Sequence, residues 1–161
     1  ASKNFGAFIS IALLDAKYTE FTLIDGARVQ PPAPAPAILD NVAGNRLNHS
    51  PKLSVNFGFD VTPEVNVFGG SINLRADGSY RSETYVRETN NVLFERNDPY
   101  FIANTSVTWT SASEKFAVRG FATNLFNEVY LTQSQWSAPI QTRTVAYNQP
   151  RQYGVELQVK F

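Results

Sequence analysis

Cysteine is absent from the 161 residues, which removes disulfide scaffolds, thiolate metal sites and cysteine nucleophiles together. Net charge is absent too: 14 basic and 14 acidic side chains leave no field to draw in nucleic acid or an acidic membrane surface. No nucleic-acid partner is expected. No run approaches the roughly 18 consecutive apolar residues of a membrane-spanning helix, and patches such as Ile11 to Leu14 are short. Any passage through a membrane must therefore use strands. The first residues, Ala1 to Phe5, show no basic region leading into an apolar core and a small-residue cleavage site, so an exported protein is represented here by a mature piece. The single histidine, His49, has no second His, Cys or carboxylate at a metal-ligand spacing, which makes it a loop residue with no metal role. No G-x-S-x-G elbow accompanies it, and Gly69-Gly70 opens a strand where phosphate binding requires a helix. Enzyme activity, metals and cofactors are not expected.

What the chain does have is alternation. From Gln152 to Phe161, Tyr153, Val155, Leu157, Val159 and Phe161 share one face, and Gln152, Gly154, Glu156, Gln158 and Lys160 the other. Pro51 to Val61 repeats the pattern, with Leu53, Val55, Phe57, Phe59 and Val61 opposing Lys52, Ser54, Asn56, Gly58 and Asp60. A third strand places Ile72, Leu74, Ala76, Gly78 and Tyr80 against Asn73, Arg75, Asp77, Ser79 and Arg81. A fourth alternates from Phe101 to Thr110, and a fifth runs from Phe116 to about Asn124 with Phe116, Val118, Gly120 and Ala122 on one side. Asn4 to Tyr18 reads as a first strand in which Phe8 and Leu14 break the rule. With aromatics at 13% and Phe occurring 12 times, yet a mean hydropathy of −0.24, the composition is that of half-apolar strands.

The connections have a pattern of their own. Thr62 to Asn66 and Ser111 to Lys115 are short turns, whereas a first connection carrying Pro31, Pro32, Pro34 and Pro36 is extended and without strand or helix. Ser82 to Asp98 and Tyr130 to Gln149 are further long loops. The lengths run about 30, 5, 17, 5 and 20 residues. In an antiparallel meander, alternate connections lie at opposite ends, so one end carries every long loop. Short turns on one side, long loops on the other and ten-residue strands with one apolar face describe an outer-membrane barrel. The fold class expected is all-β, about six antiparallel up-and-down strands forming part of a transmembrane β-barrel.

Five short stretches carry a family resemblance. Phe121-Ala-Thr-Asn124-Leu125-Phe126-Asn127-Glu-Val-Tyr130 resembles the N-L-F-(D/N)-x-x-Y segment of TonB-dependent outer-membrane receptors, and Pro150-Arg151-Gln152-Tyr153-Gly154 their P-R-x-(Y/F)-G. Leu14-Asp15-Ala16-Lys17-Tyr18, Gly44-Asn45-Arg46-Leu47 and Ser50-Pro51-Lys52 are similar to earlier motifs of the same family, in the same order. The resemblance implies a bacterial outer-membrane protein in which residues 1–161 are the carboxy-terminal portion of a 22-stranded barrel, with no plug domain. Six strands cannot close a membrane barrel, because the smallest have about eight. It implies active import of a scarce nutrient, a ferric siderophore or similar small-molecule cargo, powered through TonB. The implied partners are the rest of the barrel and plug, the TonB complex, the barrel-assembly machinery, and outer-membrane lipid with lipopolysaccharide.

Within that frame the long loops supply Tyr85, Arg87, Arg96, Tyr130, Trp136, Arg143 and Tyr147, planar and cationic groups suited to anionic or aromatic ligands. The plainer alternative is that they brace loops or meet lipopolysaccharide. Arg75, Asp77, Arg81, Arg119, Glu156 and Lys160 are expected on the wet face, pairing with one another or with a plug. Gln152, Gly154, Leu157, Val159 and Phe161 resemble a barrel-assembly signal. A passive porin-like or structural barrel, and a soluble β-sandwich that binds through its loops, remain as alternatives.

Overall fold

The computed structural model describes residues 4–26 and 28–161. Its strands are β1 (Phe5–Leu13), β2 (Thr22–Leu23), β3 (Asp40–Asn41), β4 (Leu53–Val61), β5 (Gly70–Arg81), β6 (Thr84–Tyr85), β7 (Arg96–Asn97), β8 (Tyr100–Ser111), β9 (Phe116–Thr123), β10 (Leu131–Ser137), β11 (Thr142–Tyr147) and β12 (Gln152–Val159). Six of them form one antiparallel sheet in the order β1-β4-β5-β8-β9-β12, each long strand lying beside the next long strand in the chain. The expected six-stranded meander is the architecture found.

Register brings the six alternations into phase. Ile9 pairs with Phe57, Phe57 with Gly78, Gly78 with Ala103; Trp109 pairs with Val118 and Val118 with Leu157. Residues directly opposite in an antiparallel pair project to the same side, so every apolar set lands on one face and every polar set on the other. A slip of one residue anywhere would mix them. The facing of β9 is fixed in the same way, with Phe116 against Val159 and Gly120 against Val155.

Among the described residues nothing covers that apolar face. Leu157 is 77% exposed and Ile9 69%. Among the described residues the buried apolar side chains are Val42, Val86 and Ala122, and only Ala122 belongs to the sheet.

Aromatic rings cover four of the six glycines in the strands of the sheet. Phe8 pairs with Gly58, Phe121 with Gly154, and Phe57 with Gly78, and in each case a Cβ on the glycine would run into the ring opposite. Trp109 lies in the same way against Gly70, while its Nε1 donates to the Val67 carbonyl at 2.7 Å. These contacts fill the gaps that missing side chains leave in a sheet.

The connections differ from expectation in five places, one of them the β6–β7 ladder inside Ser82 to Asp98, which the sequence reads as a loop. β1 stops at Leu13, short of Tyr18, because the chain then leaves the sheet and meets the first connection through an isolated Lys17–Arg46 bridge. The proline-rich connection, read as free of strands, contains the β2–β3 ladder, with Arg28 bridging to Asp40 at 2.9 Å. Tyr130 to Gln149, read as a loop, is a hairpin of β10 and β11, whose alternation is hidden by polar residues on both faces. The first short turn runs on past Asn66: Val67 and Gly70 exchange both backbone hydrogen bonds around Phe68 and Gly69, which sit at φ of 50° and 74°. Two left-handed residues make this a primed hairpin turn.

Candidate ligand-binding mouth

At the end of the sheet opposite the short turns, residues 14–26, 28–52, 82–99 and 124–151 fold into one cap. The first two segments interlock through backbone mimicry. Asn90 Oδ1 accepts the Arg46 amide at 2.8 Å while its Nδ2 donates to the Arg46 carbonyl at 3.1 Å, and Asn45 Nδ2 donates to the Glu88 carbonyl. The second and third do the same through Asn97, whose Nδ2 donates to the Leu131 carbonyl at 2.9 Å and whose Oδ1 accepts the Leu131 amide at 2.7 Å. Ala138 N donates to the Gly26 carbonyl and ties the third segment to the first. Asparagine suits this work because one side chain carries the donor and the acceptor of a peptide group.

Between the cap and the sheet lie two adjoining hollows. One, of about 380 Å³, is lined by Arg96, Asn97, Asp98, Tyr100, Glu128, Tyr130, Arg143 and Tyr147 among others. The other, of about 440 Å³, shares Tyr130 and Tyr147 and adds Ile102, Asn104 and Thr123 from the polar face of the sheet. Each lies within the size range of small-molecule sites. Tyr130 stacks on Tyr100 with ring centroids 4.2 Å apart and planes 9° from parallel. Its backbone is held by Asn148, whose Oδ1 accepts the Tyr130 amide at 2.9 Å.

Four of the seven loop candidates, Arg96, Tyr130, Arg143 and Tyr147, therefore converge, and three do not. Arg87 is committed elsewhere, with Asp25, Glu88 and Glu95 carboxylates at 3.5, 3.2 and 3.4 Å. Tyr85 lies on β6, its carbonyl accepting the His49 amide at 2.8 Å. Trp136 stacks on Phe94 with centroids 6.1 Å apart. Of the converging cations, Arg96 is engaged by Asp98 at 3.1 Å and more loosely by Glu83 at 3.9 Å. Arg143 makes no ion pair among the described residues. Its Nε donates to Ser134 Oγ, its Nη2 to the Phe94 carbonyl, and its guanidinium rides over the Phe94 ring at 5.1 Å. Two of its five N–H donors are used, so it is oriented yet still able to bind an anion.

The Arg87 cluster sets one titration. Burial pushes the Glu88 carboxyl up, but its own backbone amide, the adjacent Arg87 charge and hydrogen bonds from Asn48 and Arg87 together outweigh this and hold it below the usual carboxylate value. On the polar face, Arg119 pairs with Glu156 at 2.9 Å, Asn104 donates to Asp77 at 2.7 Å and Arg81 donates to Asn56 at 3.0 Å. Arg75 and Lys160 make no ion pair among the described residues.

Tyr100, Asn97 and Asn148 were not singled out from the sequence. Asn97-Asp98-Pro99-Tyr100 contains the clue for two of them, turn-forming residues leading straight into an aromatic at a strand entrance.

Neither a family model nor a curated protein sequence matches the chain. Solved structures do. The ferric yersiniabactin uptake receptor FyuA from Yersinia pestis superposes with a TM-score of 0.64 over 76% of this chain, at 19% identity. BauA, the ferric preacinetobactin receptor from Acinetobacter baumannii, superposes with a TM-score of 0.57 over 98% of it, at 15% identity. The chain spans 18% of the first receptor and 27% of the second. The likeness to TonB-dependent receptors read from the five motifs thus holds at the level of fold: the chain has the antiparallel strand architecture of part of these two receptors.

Proposed function

We propose that this chain is the carboxy-terminal wall and loop sector of an outer-membrane active-transport receptor, with its apolar face to lipid and its polar face to the lumen. The cargo is a ferric siderophore or a similar anionic, aromatic ligand, received at the mouth formed by Arg96, Tyr130, Arg143 and Tyr147. A plug carried outside this chain completes the site, and transport is powered through TonB. The observation that carries the reading is Arg143: a guanidinium without a carboxylate partner among the described residues, oriented by Ser134 and Phe94 beside two tyrosines at the head of the polar face. Such a cation favours a ligand that brings its own negative charge. Both structurally similar receptors are named for ferric ligands, which supports the cargo class.

The open outer edge of β12 supports a second part of the reading. Among the described residues β12 pairs with β9 alone, and its Gln152, Gly154, Leu157 and Val159, with Phe161 two residues beyond the strand, are the residues we assign to recognition by the barrel-assembly machinery.

The test uses the full receptor in membranes. Arg143→Ala and Tyr130→Ala are expected to weaken ferric-siderophore binding about tenfold or more, the scale of a lost charge-assisted hydrogen bond. Uptake should stop when TonB is deleted. Continued uptake without TonB would favour a passive barrel, and unchanged binding in both variants would remove the mouth from the cargo path.

A further inference from the structure

Two of the sequence motifs, Asn124-Leu125-Phe126-Asn127 and Pro150-Arg151-Gln152-Tyr153, build one corner of the fold; Asn124 and Pro150 line the larger hollow of the mouth, whereas Phe126, Arg151 and Tyr153 line neither hollow. Asn124 anchors the first: its Oδ1 accepts the Glu128 amide at 2.8 Å, and its Nδ2 donates to the Glu128 carbonyl at 2.8 Å and the Gln149 carbonyl at 3.1 Å. Asn127 Oδ1 then accepts the Arg151 amide at 3.0 Å, and the Leu125 carbonyl accepts Arg151 Nη1 at 3.2 Å. The guanidinium lies over the Tyr153 ring at 5.6 Å. It is exposed and makes no ion pair among the described residues.

The corner borders the mouth on one side and turns its Phe126 and Tyr153 side to the apolar face. Tyr153 belongs to the apolar set of β12, and Phe126 packs on Phe101, itself stacked on Phe57, at 6.0 and 5.9 Å. Phe126 and Tyr153 are 63% and 68% exposed. An aromatic row at the loop end of a lipid-facing surface marks the level where hydrocarbon gives way to head groups. A fixed, unpaired cation at that level meets the anionic group of the lipid, and the aromatic shelf beneath it meets the acyl chains.

We infer that Arg151, with Phe126 and Tyr153, forms a binding site for a phosphate group carried on an outer-leaflet lipid. The inference rests on the membrane reading above. The phosphate accepts from the guanidinium N–H groups that the Leu125 carbonyl leaves free, as arginine is built to allow. Free phosphate lacks the part that the aromatic shelf would bury, so the amphiphile is the ligand.

The experiment reconstitutes the full receptor into phosphatidylcholine vesicles containing either diphosphoryl lipid A or its dephosphorylated form, and counts lipid A retained per protein after detergent extraction by native mass spectrometry. Quenching of Trp109 fluorescence by brominated phosphatidylcholine reports membrane embedding in the same samples. Wild-type protein should retain the diphosphoryl form preferentially. Arg151→Gln should lower that retention about fivefold, the effect of one cation at an anionic membrane surface. Arg151→Lys should restore part of it. Inorganic phosphate should not compete. Equal retention of the two lipid forms, or unchanged retention in Arg151→Gln with quenching intact, overturns the lipid site alone. Competition by inorganic phosphate overturns the amphiphile as ligand. Loss of quenching in the wild type overturns the site together with the membrane reading.

Discussion

Glu88 shows how single residues tie the cap to pH. Its carboxyl is lowered in the folded protein, so it contributes stability that is fully present above its unfolded value, near 4.3, and is lost as pH falls through the lower folded value. Hydrogen-exchange protection of residues 83–97, taken relative to the intrinsic rate at each pH, should therefore hold from neutral pH down to about 5 and fall only in more acidic solution. Loss of protection already between pH 7 and 6 would point to another group. Glycine positions give a second contrast. A Cβ at Gly70 would collide with the Thr110 carbonyl and the Trp109 ring, whereas a Cβ at Gly120 would meet nothing within 4 Å. Gly70→Ala should cost about 1 to 3 kcal/mol through overpacking. Gly120→Ala should be neutral or favourable by up to about 1 kcal/mol, because alanine loses less backbone freedom on ordering. Unfolding of the assembled protein from a bilayer measures both.

At the scale of elements, what the sequence made legible follows from how each strand is solvated. β4, β5, β8, β9 and β12 have one apolar and one polar face, and alternation announces them. β10 and β11 do not, because Gln133, Gln135, Thr142 and Thr144 leave no apolar set to count, and their hydrogen bonds rather than their side chains define the hairpin. The two-residue ladders are too short for any period. The mouth was legible in part for a related reason: residue type flagged Arg143 and Tyr130, but only the fold reveals that Arg87 is enclosed by three carboxylates while Arg143 is not. β12 offers the sharpest test of its faces. Leu157→Arg should cost about 2 to 4 kcal/mol in a bilayer if Leu157 meets hydrocarbon, and Gln158→Arg on the opposite face should cost under about 1 kcal/mol. Leu157→Phe should be tolerated, since lipid adapts to a larger apolar group whereas a packed core loses about 1 to 3 kcal/mol. Equal damage from Leu157→Phe and Leu157→Arg would mean that this face packs on protein.

For the whole molecule, the sheet has two open edges, β1 and β12, and an uncovered apolar face. In water such a surface associates with itself. The isolated 161-residue chain is therefore expected to aggregate without detergent, and a sharp, cooperative melt of a monomer in buffer would contradict the open-sheet architecture. Polar burial is concentrated in the cap instead, at Asp25, Thr84, Glu95, Asn97, Asn124 and Ser134, as in a water-soluble domain. The molecule is thus two parts with different burial, an uncovered sheet and a polar-bonded cap, joined along the loop ends of the strands.

The bond between Ala138 and Gly26 gives the two parts an order in time. Every pairing in the sheet joins neighbouring long strands, so the wall can be laid down one hairpin after another with little loop entropy to overcome at each step. The cap has no such shortcut. Its Gly26 must wait for Ala138, in the turn between β10 and β11 near the far end of the chain, and until then Asn97 lacks both of its ties to Leu131. Closure of the cap is therefore a record of completed assembly, and the moment at which residues 82–99 become resistant to a surface protease would date it.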